Sequence, residues 1–570
     1  MLYKRIAELY DKISSTTKRL EKIDTISKFL EDLSEKDKEV MYLLLGSIYA
    51  DYDESKIGIS EQLVIKAISK TTGENKERII HEWKKVGDLG QVAQNLTQNK
   101  KQSNLFGLKI LTAGKVLESL RKLPLLEGEG TVEKKITIIT ELLTSASSIE
   151  AKYIVRTLIG DLRIGIQEST IRESLAKAFF PEIQKEASVK IQEALDRSND
   201  VALIFEIAKR RKIKDLEDVS LEVGKAIKVM LAQKALNIED GFEKVGKPAA
   251  IEYKYDGFRL LIHKSPEGKI TLYTRRLENV TKQFPEAVEY VQKYVTGKSF
   301  ILDSEAIGFD KKTKRYTQFQ HISQRIKRKY DIEKVQQELP IEINVFDILY
   351  YNGKSFIGEP FQKRTAQVRK IIKETPYKIV PAKQIITDSL EKAEKFYKKA
   401  LEDNQEGVMM KSLDSKYQPG SRVGFMLKVK PSQKDFDLVI TGAEYGKGKR
   451  SGWLTSFTLS CRDEETGKFL EIGKVGTGIS EKAESTEGTE RTTFEELTEL
   501  LKPLIIKESG KDIIVKPKIV VAITYQEIQK SPTYSSGFAL RFPRVTTLRP
   551  DKPVSEINTL QEIEKEVFGK

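Results

Sequence analysis

A multidomain protein is what this sequence predicts: an all-α N-terminal domain, an α+β middle domain and a small C-terminal β-barrel. Three observations point there. A chain of 570 residues is too long for one hydrophobic core. Its apolar residues keep a helical period up to about residue 220, then change to a period of two from about Ala249. Beyond Pro431 the pattern becomes short strands divided by glycine turns.

The first region carries Ile6, Leu9, Tyr10 and Ile13, and later Val116, Leu117 and Leu120, at helical spacing. Breakers punctuate it at Gly73, Gly87 to Gly90 and Gly128 to Gly130, and Gly160-Asp161-Leu162-Arg163-Ile164-Gly165 interrupts the rhythm before a new helix. In the middle region Ile251, Tyr253, Leu260, Ile262, Ile270 and Leu272 alternate with polar positions. Phe300-Ile301-Leu302 and Ile343 to Phe346 read as buried strands, and a helix is expected over roughly Leu390 to Leu401. In the last region Phe436 to Ile440 reads as a strand, and Gly446 to Gly448 and Gly473 to Gly478 read as turns, which together suit a small barrel. The expected boundaries are 1–222, 223–430 and 431–570.

Composition narrows the chemistry. Lys and Arg number 98 against 84 Asp and Glu, a net charge of +14. That excess favours a polyanionic partner such as nucleic acid, and also suits a membrane surface or a merely solvated face. One cysteine, Cys461, excludes an intrachain disulfide and a cysteine-rich zinc site. With only three histidines besides, a metal in the chemistry is expected to be Mg²⁺ held by carboxylates and phosphates. No apolar run approaches the ~20 residues of a membrane span, and Met1 leads straight into charged residues with no signal-peptide core. A cytoplasmic, nucleoid-associated protein without membrane contact is expected.

The central constellation is Glu252-Tyr253-Lys254-Tyr255-Asp256-Gly257-Phe258-Arg259. On a strand Glu252 and Lys254 share one face, and the glycine is expected to permit a tight turn. A lysine is a nucleophile only when deprotonated, which burial or a neighbouring cation promotes; the plainer reading is a surface lysine before a turn. Further along, Arg275 ends a strand, Glu305 lies within an apolar strand, Phe346-Asp347 is expected to end another, and Glu406-Gly407 precedes Val408 to Lys411. A buried Glu305 needs a partner, a hydroxyl or a metal. Lys428 and Lys430 face the same way on one strand, where a phosphate between them would relieve their repulsion. A solvated edge strand would carry them too.

Taken in order, Lys254-Tyr255-Asp256-Gly257, Arg275, Glu305, Phe346, Glu406-Gly407 and Lys428-Val429-Lys430 resemble motifs I, III, IIIa, IV and V of the covalent nucleotidyltransferases. Arg541-Phe542-Pro543-Arg544 with Arg549-Pro550-Asp551-Lys552 looks like motif VI of ATP-dependent DNA ligases, and Gly160 to Gly165 resembles the DNA-binding domain of archaeal and eukaryotic replicative ligases. The resemblance implies an N-terminal DNA-binding domain, a nucleotidyltransferase (adenylation) domain and a C-terminal OB-fold. It implies an enzyme that seals 5′-phosphate/3′-hydroxyl nicks in duplex DNA through a lysine–AMP intermediate, in replication, repair and recombination. Its cofactors would be ATP and Mg²⁺, with Mn²⁺ as a substitute.

By that resemblance Lys254 attacks the α-phosphorus, Glu252 reads the adenine amino group, and Arg259 and Arg275 contact ribose and phosphate, Arg275 also the DNA 5′-phosphate. Glu305 holds the ribose hydroxyl and, with Glu406, the metal. Phe346 stacks on adenine, Lys428, Lys430 and Arg422 meet the α-phosphate, and Asp551 and Lys552 orient the departing pyrophosphate. The alternative for Arg549 to Lys552 is a solvated turn before a C-terminal helix. An mRNA capping guanylyltransferase shares motifs I to V but needs no helical domain of this size; an NAD⁺-dependent ligase would bring a four-cysteine zinc site. A non-catalytic scaffold is disfavoured by the intact motif residues.

Two further readings concern partners. Arg163 either contacts DNA phosphate or pairs with Asp161. Gln102, Leu105 and Phe106 resemble the sliding-clamp-binding motif (PCNA type) of archaeal ligases, or else Leu105 and Phe106 cap the local core. Nicked duplex DNA is the expected partner of a monomeric enzyme.

Overall fold

In the computed structural model all residues are described except 54, 56, 99–109, 318, 327–331, 432–434, 447–449, 451, 482–491, 510–511 and 569–570, with backbone alone at 320, 321, 323 and 324. Gln102, Leu105 and Phe106 therefore lie outside the described residues. The chain divides into two compact units, residues 1–83 with 89–431 and residues 84–88 with 432–570.

From Tyr3 to Glu217 the described elements are all helical, and their apolar stripes close over one core that includes Tyr10, Leu43, Tyr153, Ile191 and Phe205. Helix ends follow local chemistry. Asn199, left-handed at φ 54°, ends the helix Gln184–Ser198, and the Asp200 carboxylate accepts the Ala202 and Leu203 amides to start Val201–Lys209. Gly87, left-handed at φ 71°, follows the end of a helix as its type suggests, but Gly90 lies buried inside Leu89–Thr97. The Gly160 to Gly165 turn is held from outside: the buried Lys22 ammonium donates to the Ile164 and Gly165 carbonyls at 2.6 and 3.0 Å.

The same unit continues into two sheets. Their strands are β1 Leu231–Lys234, β2 Ala249–Lys254, β3 Phe258–Lys264, β4 Ile270–Thr274, β5 Phe300–Gly308, β6 Ile341–Tyr351, β7 Lys354–Ser355, β8 Ile379–Pro381, β9 Gln384–Thr387, β10 Gly407–Ser412 and β11 Arg422–Val429. One sheet runs β1-β11-β10-β2-β9; the other runs β4-β3-β5-β6-β7 with β8 beside β6. Residues 255–257 carry the chain from the first sheet to the second. Gly257 is required there by crowding rather than by a left-handed turn: a Cβ would lie 2.3 Å from the Ala306 carbonyl of β5. Helix Leu390–Glu402 lies where the sequence pattern puts one.

Phe346-Asp347 does not end its strand, because β6 runs on to Tyr351. The pairing of β5 with β6 steps from Asp303↔Asp347 to Ser304↔Val345, leaving Phe346 as an extra residue, a bulge that re-aims its ring. Asp347 is buried and bound by Arg364, wholly buried on helix Phe361–Ile371, at 2.7 and 3.2 Å. The Arg364 Nη1 donates to the Glu359 and Ser415 carbonyls.

The C-terminal unit is strand-rich. Its strands are β12 Phe436–Tyr445, β13 Leu454–Arg462, β14 Phe469–Val475, β15 Ile505–Ser509, β16 Asp512–Val515, β17 Val520–Thr524, β18 Glu527–Lys530, β19 Phe538–Arg541 and β20 Arg544–Leu548. One edge of β12 pairs with β13, and the other edge passes from β17 to β16 midway. That change of partner curls the sheet into the small barrel of an OB-fold around Leu438, Phe457, Leu459 and Ile523. Gly473 belongs to β14 and not to a turn.

Removing the guanidinium in Arg364→Met should leave Asp347 buried without a counter-ion and cost about 3–5 kcal/mol, read from urea denaturation. A loss below about 1 kcal/mol would mean that Asp347 takes a proton or another partner once Arg364 is gone.

Candidate active site

Lys254 is the last residue of β2, and its neighbours Tyr253 and Tyr255 point to the opposite, apolar face. Both tyrosines are anchored: the Tyr253 hydroxyl donates to Asp403, and the Tyr255 hydroxyl accepts from the Lys383 amide. Opposite Lys254 in β10 stands Gly407, at φ +135°, where a Cβ would lie 2.2 Å from the Val429 carbonyl. This close approach holds Glu406 at the mouth of the sheet, its amide donating to the Lys254 carbonyl at 2.9 Å.

The Glu406 carboxylate meets two ammoniums, Lys254 at 2.5 Å and Lys430 at still shorter range. Burial alone would raise its pKa, but the Lys254 and Lys430 charges override burial and hold it down at about 2. Lys428 faces the same side, across from Met409. Burial, then the like charges of Lys254, Lys430 and Arg422, depress the Lys428 ammonium; burial and Lys254 depress Lys430. Arg422, at the start of β11, donates to the Ala232 carbonyl. Three lysines around one carboxylate leave an excess of positive charge, which suits a polyphosphate.

Charges of the second sheet act on this cluster. Arg259 forms a two-point bond with the fully buried Asp303, 2.5 Å at each contact, and its guanidinium lies 4.8 Å from the centre of the Phe346 ring. The Tyr417 hydroxyl donates to the same Asp303. Glu305 pairs with Arg259 in register, and its carboxyl is pushed up to about 7. Burial is the main cause; Glu406 and Asp303 add to it, and Lys254 and Arg259 oppose it. Arg275 is exposed just beyond β4, one position past the Leu260↔Thr274 pair and so level with Arg259.

Three family models match this chain: "DNA ligase N terminus" over residues 2–176, "ATP dependent DNA ligase domain" over 229–430 and "ATP dependent DNA ligase C terminal region" over 450–552. The DNA ligase of Nanoarchaeum equitans is 46% identical over 99% of this chain and 98% of its own length. The chain belongs to the ATP-dependent DNA ligases. The DNA ligase of Thermococcus fumicolans is 38% identical over 100% of this chain and 98% of that one. A solved structure named Pmar-Lig_PreS3 covers 95% of this chain and 99% of its own at a TM-score of 0.57 and 18% identity, a likeness of fold.

For this ligase the fold brings together Glu252, Lys254, Arg259, Glu305, Phe346, Glu406, Lys428 and Lys430, with Arg275 and Arg422 at strand ends. Arg163 lies in the helical region, left-handed at φ 55°, with its Nε donating to Asp161 at 2.7 Å. Lys552 and Arg549 belong to the C-terminal unit, where both bind the Asp437 carboxylate; Asp551 accepts from Arg549. The sequence reading gave no role to Asp303, Lys411, Gln384 or Asp437. Asp303 had a legible signal, a second carboxylate two residues before Glu305 and thus on the same strand face. The other three become meaningful only through strands distant in sequence.

Because an unfolded glutamate titrates near 4.5 and Glu305 near 7, the folded protein holds an extra proton between those values. Stability therefore falls as pH rises through that window and stays low above it. Glu305→Gln should raise the melting temperature of the nucleotide-free protein at pH 8 and change it little at pH 5. An equal effect at both pH values would remove Glu305 as the titrating group.

Proposed function

We propose that Lys254 is the nucleophile of this ATP-dependent DNA ligase, and the observation that carries the reading is the convergence of Lys254, Lys428 and Lys430 on Glu406. The enzyme consumes ATP and acts on nicked duplex DNA. As a free amine, Lys254 forms an N–P bond to the α-phosphorus while the bond to the β-phosphate oxygen breaks and pyrophosphate leaves. Lys428, Lys430 and Arg422 neutralise charge that builds on the α-phosphate. The nick's 5′-phosphate then takes AMP from Lys254, and the 3′-hydroxyl displaces AMP to close the backbone, both by positioning and charge stabilisation. Glu252 reads adenine, Phe346 stacks on it, Arg259 and Arg275 address ribose and phosphate, and Arg275 also the 5′-phosphate of DNA.

Two nearby carboxylates, Glu305 and Glu406, fit Mg²⁺, which commonly takes one or two protein carboxylates and completes its shell with phosphates and water. When bound it would draw negative charge off the phosphates; Mn²⁺ could replace it. We divide the chain functionally at 1–222, 223–430 and 431–570 and assign phosphate contact in DNA to Arg163. Clamp binding through Gln102, Leu105 and Phe106 rests on the sequence pattern alone. No helix among the described residues is long and apolar enough to cross a membrane, and we place the enzyme with DNA in the cytoplasm, acting as a monomer.

Lys254→Ala should abolish the covalent AMP adduct, assayed with α-labelled ATP, while a gel shift on nicked DNA stays close to normal. A mutant that still forms an acid-labile adduct sinks the assignment. Asp551 and Lys552 orient the departing pyrophosphate, a need of the first step only; the Lys552 ammonium, held on Asp437, is the donor. Lys552→Ala should slow self-adenylation by ~10²-fold, as loss of one well-placed donor does, yet seal a pre-adenylated nick near the normal rate. Equal losses in both assays would assign this segment to folding or DNA binding.

A further inference from the structure

The Glu252 carboxylate is almost wholly buried, at 2% exposure, and both of its oxygens are held. Oε1 accepts from the Gln384 side-chain amide at 2.8 Å, and Oε2 lies 2.6 Å from the Lys411 ammonium, itself buried. Register explains both contacts. Gln384 stands directly opposite Glu252 on β9, while Lys411 lies two residues beyond Met409, the partner of Glu252 on β10. The partners are braced in turn. The Lys411 ammonium sits 4.8 Å from the centre of the Phe346 ring and 4.4 Å from that of Phe361, and the Gln384 amide also donates to Thr365 at 3.2 Å.

We propose that Lys411 and Gln384 are positioning residues that fix the base selectivity of the nucleotide site by holding Glu252 as an oriented, charge-balanced acceptor. The inference rests on the reading of Glu252 as the group that meets the base. An ionised carboxylate only accepts hydrogen bonds, so it welcomes a 6-amino purine and repels a 6-oxo purine. A carboxylate stripped of its buried counter-ion escapes its cost by taking a proton or swinging away. With a proton it donates to a 6-oxo group, and swung away it reads nothing. Lys411 therefore guards the sign of the discrimination, and Gln384 guards its direction. Neither needs to touch the nucleotide.

The test is self-nucleotidylation of the full chain with labelled ATP and GTP, read as the ratio of kcat/KM values. Lys411→Met should lower the ATP-to-GTP ratio by about tenfold or more, within the range that a few well-placed polar groups supply. Lys411→Arg, which keeps the charge, should restore most of the ratio. Gln384→Met strands no charge and should lower the ratio in the same direction, so the proposal stays testable where Lys411→Met folds poorly. Equal losses with ATP and GTP in both Met variants would overturn the proposal and leave the pair a structural role. Glu252→Gln separates the underlying reading. If it moves the ratio and the two Met variants do not, the positioning role fails; if it leaves the ratio unmoved, Glu252 does not read the base.

Discussion

Like charges brought together before their ligand arrives are the constraint on which this structure turns. Lys254, Lys428 and Lys430 sit within mutual influence, and one carboxylate, Glu406, is what holds two of them in place. A glycine at 407 lets the backbone come close enough to β11 for that carboxylate to stand between the lysines. The positive excess that remains is a standing demand for phosphate. Under the proposed reaction, that excess would let one site both bind a triphosphate and favour the rise of negative charge during its cleavage.

The second sheet solves a different problem, how to aim groups at the same cluster from the far side of the link at residues 255–257. Asp303 fixes Arg259, Arg364 fixes Asp347, and the bulge at Phe346 lies between those two buried ion pairs. Buried pairs of this kind add little net stability compared with apolar packing. Their value here is directional, because a two-point guanidinium–carboxylate bond restricts orientation as well as distance. Phe346 borrows that rigidity and is flanked by the Arg259 and Lys411 cations.

Electrostatics also distinguishes the two acidic groups near Lys254. Glu406 touches two ammoniums and stays charged far below neutrality, whereas Glu305 is dominated by burial and titrates near it. Two carboxylates in one cleft thus behave differently because one has its counter-ions in contact and the other does not.

Much of this was determined by the sequence itself. Periods of 3.6 and 2 mark the helical region and the strands, since burial of one face imposes them on any chain. The order Lys254, Glu305, Phe346, Glu406, Lys428 and Lys430 pointed to the chemistry through its resemblance to the motifs of the covalent nucleotidyltransferases. The tertiary structure alone decided the rest. It showed that Gly257 answers a clash with Ala306 and not a turn, that Phe346 sits on a bulge, and that Glu252 is clasped by Gln384 and Lys411. It also gathered Asp437 with Arg549 and Lys552, more than a hundred residues apart. Local periodicity is a property of neighbours along the chain. Register between strands, and the counter-ion that a buried charge finds there, depend on segments whose meeting no local pattern encodes.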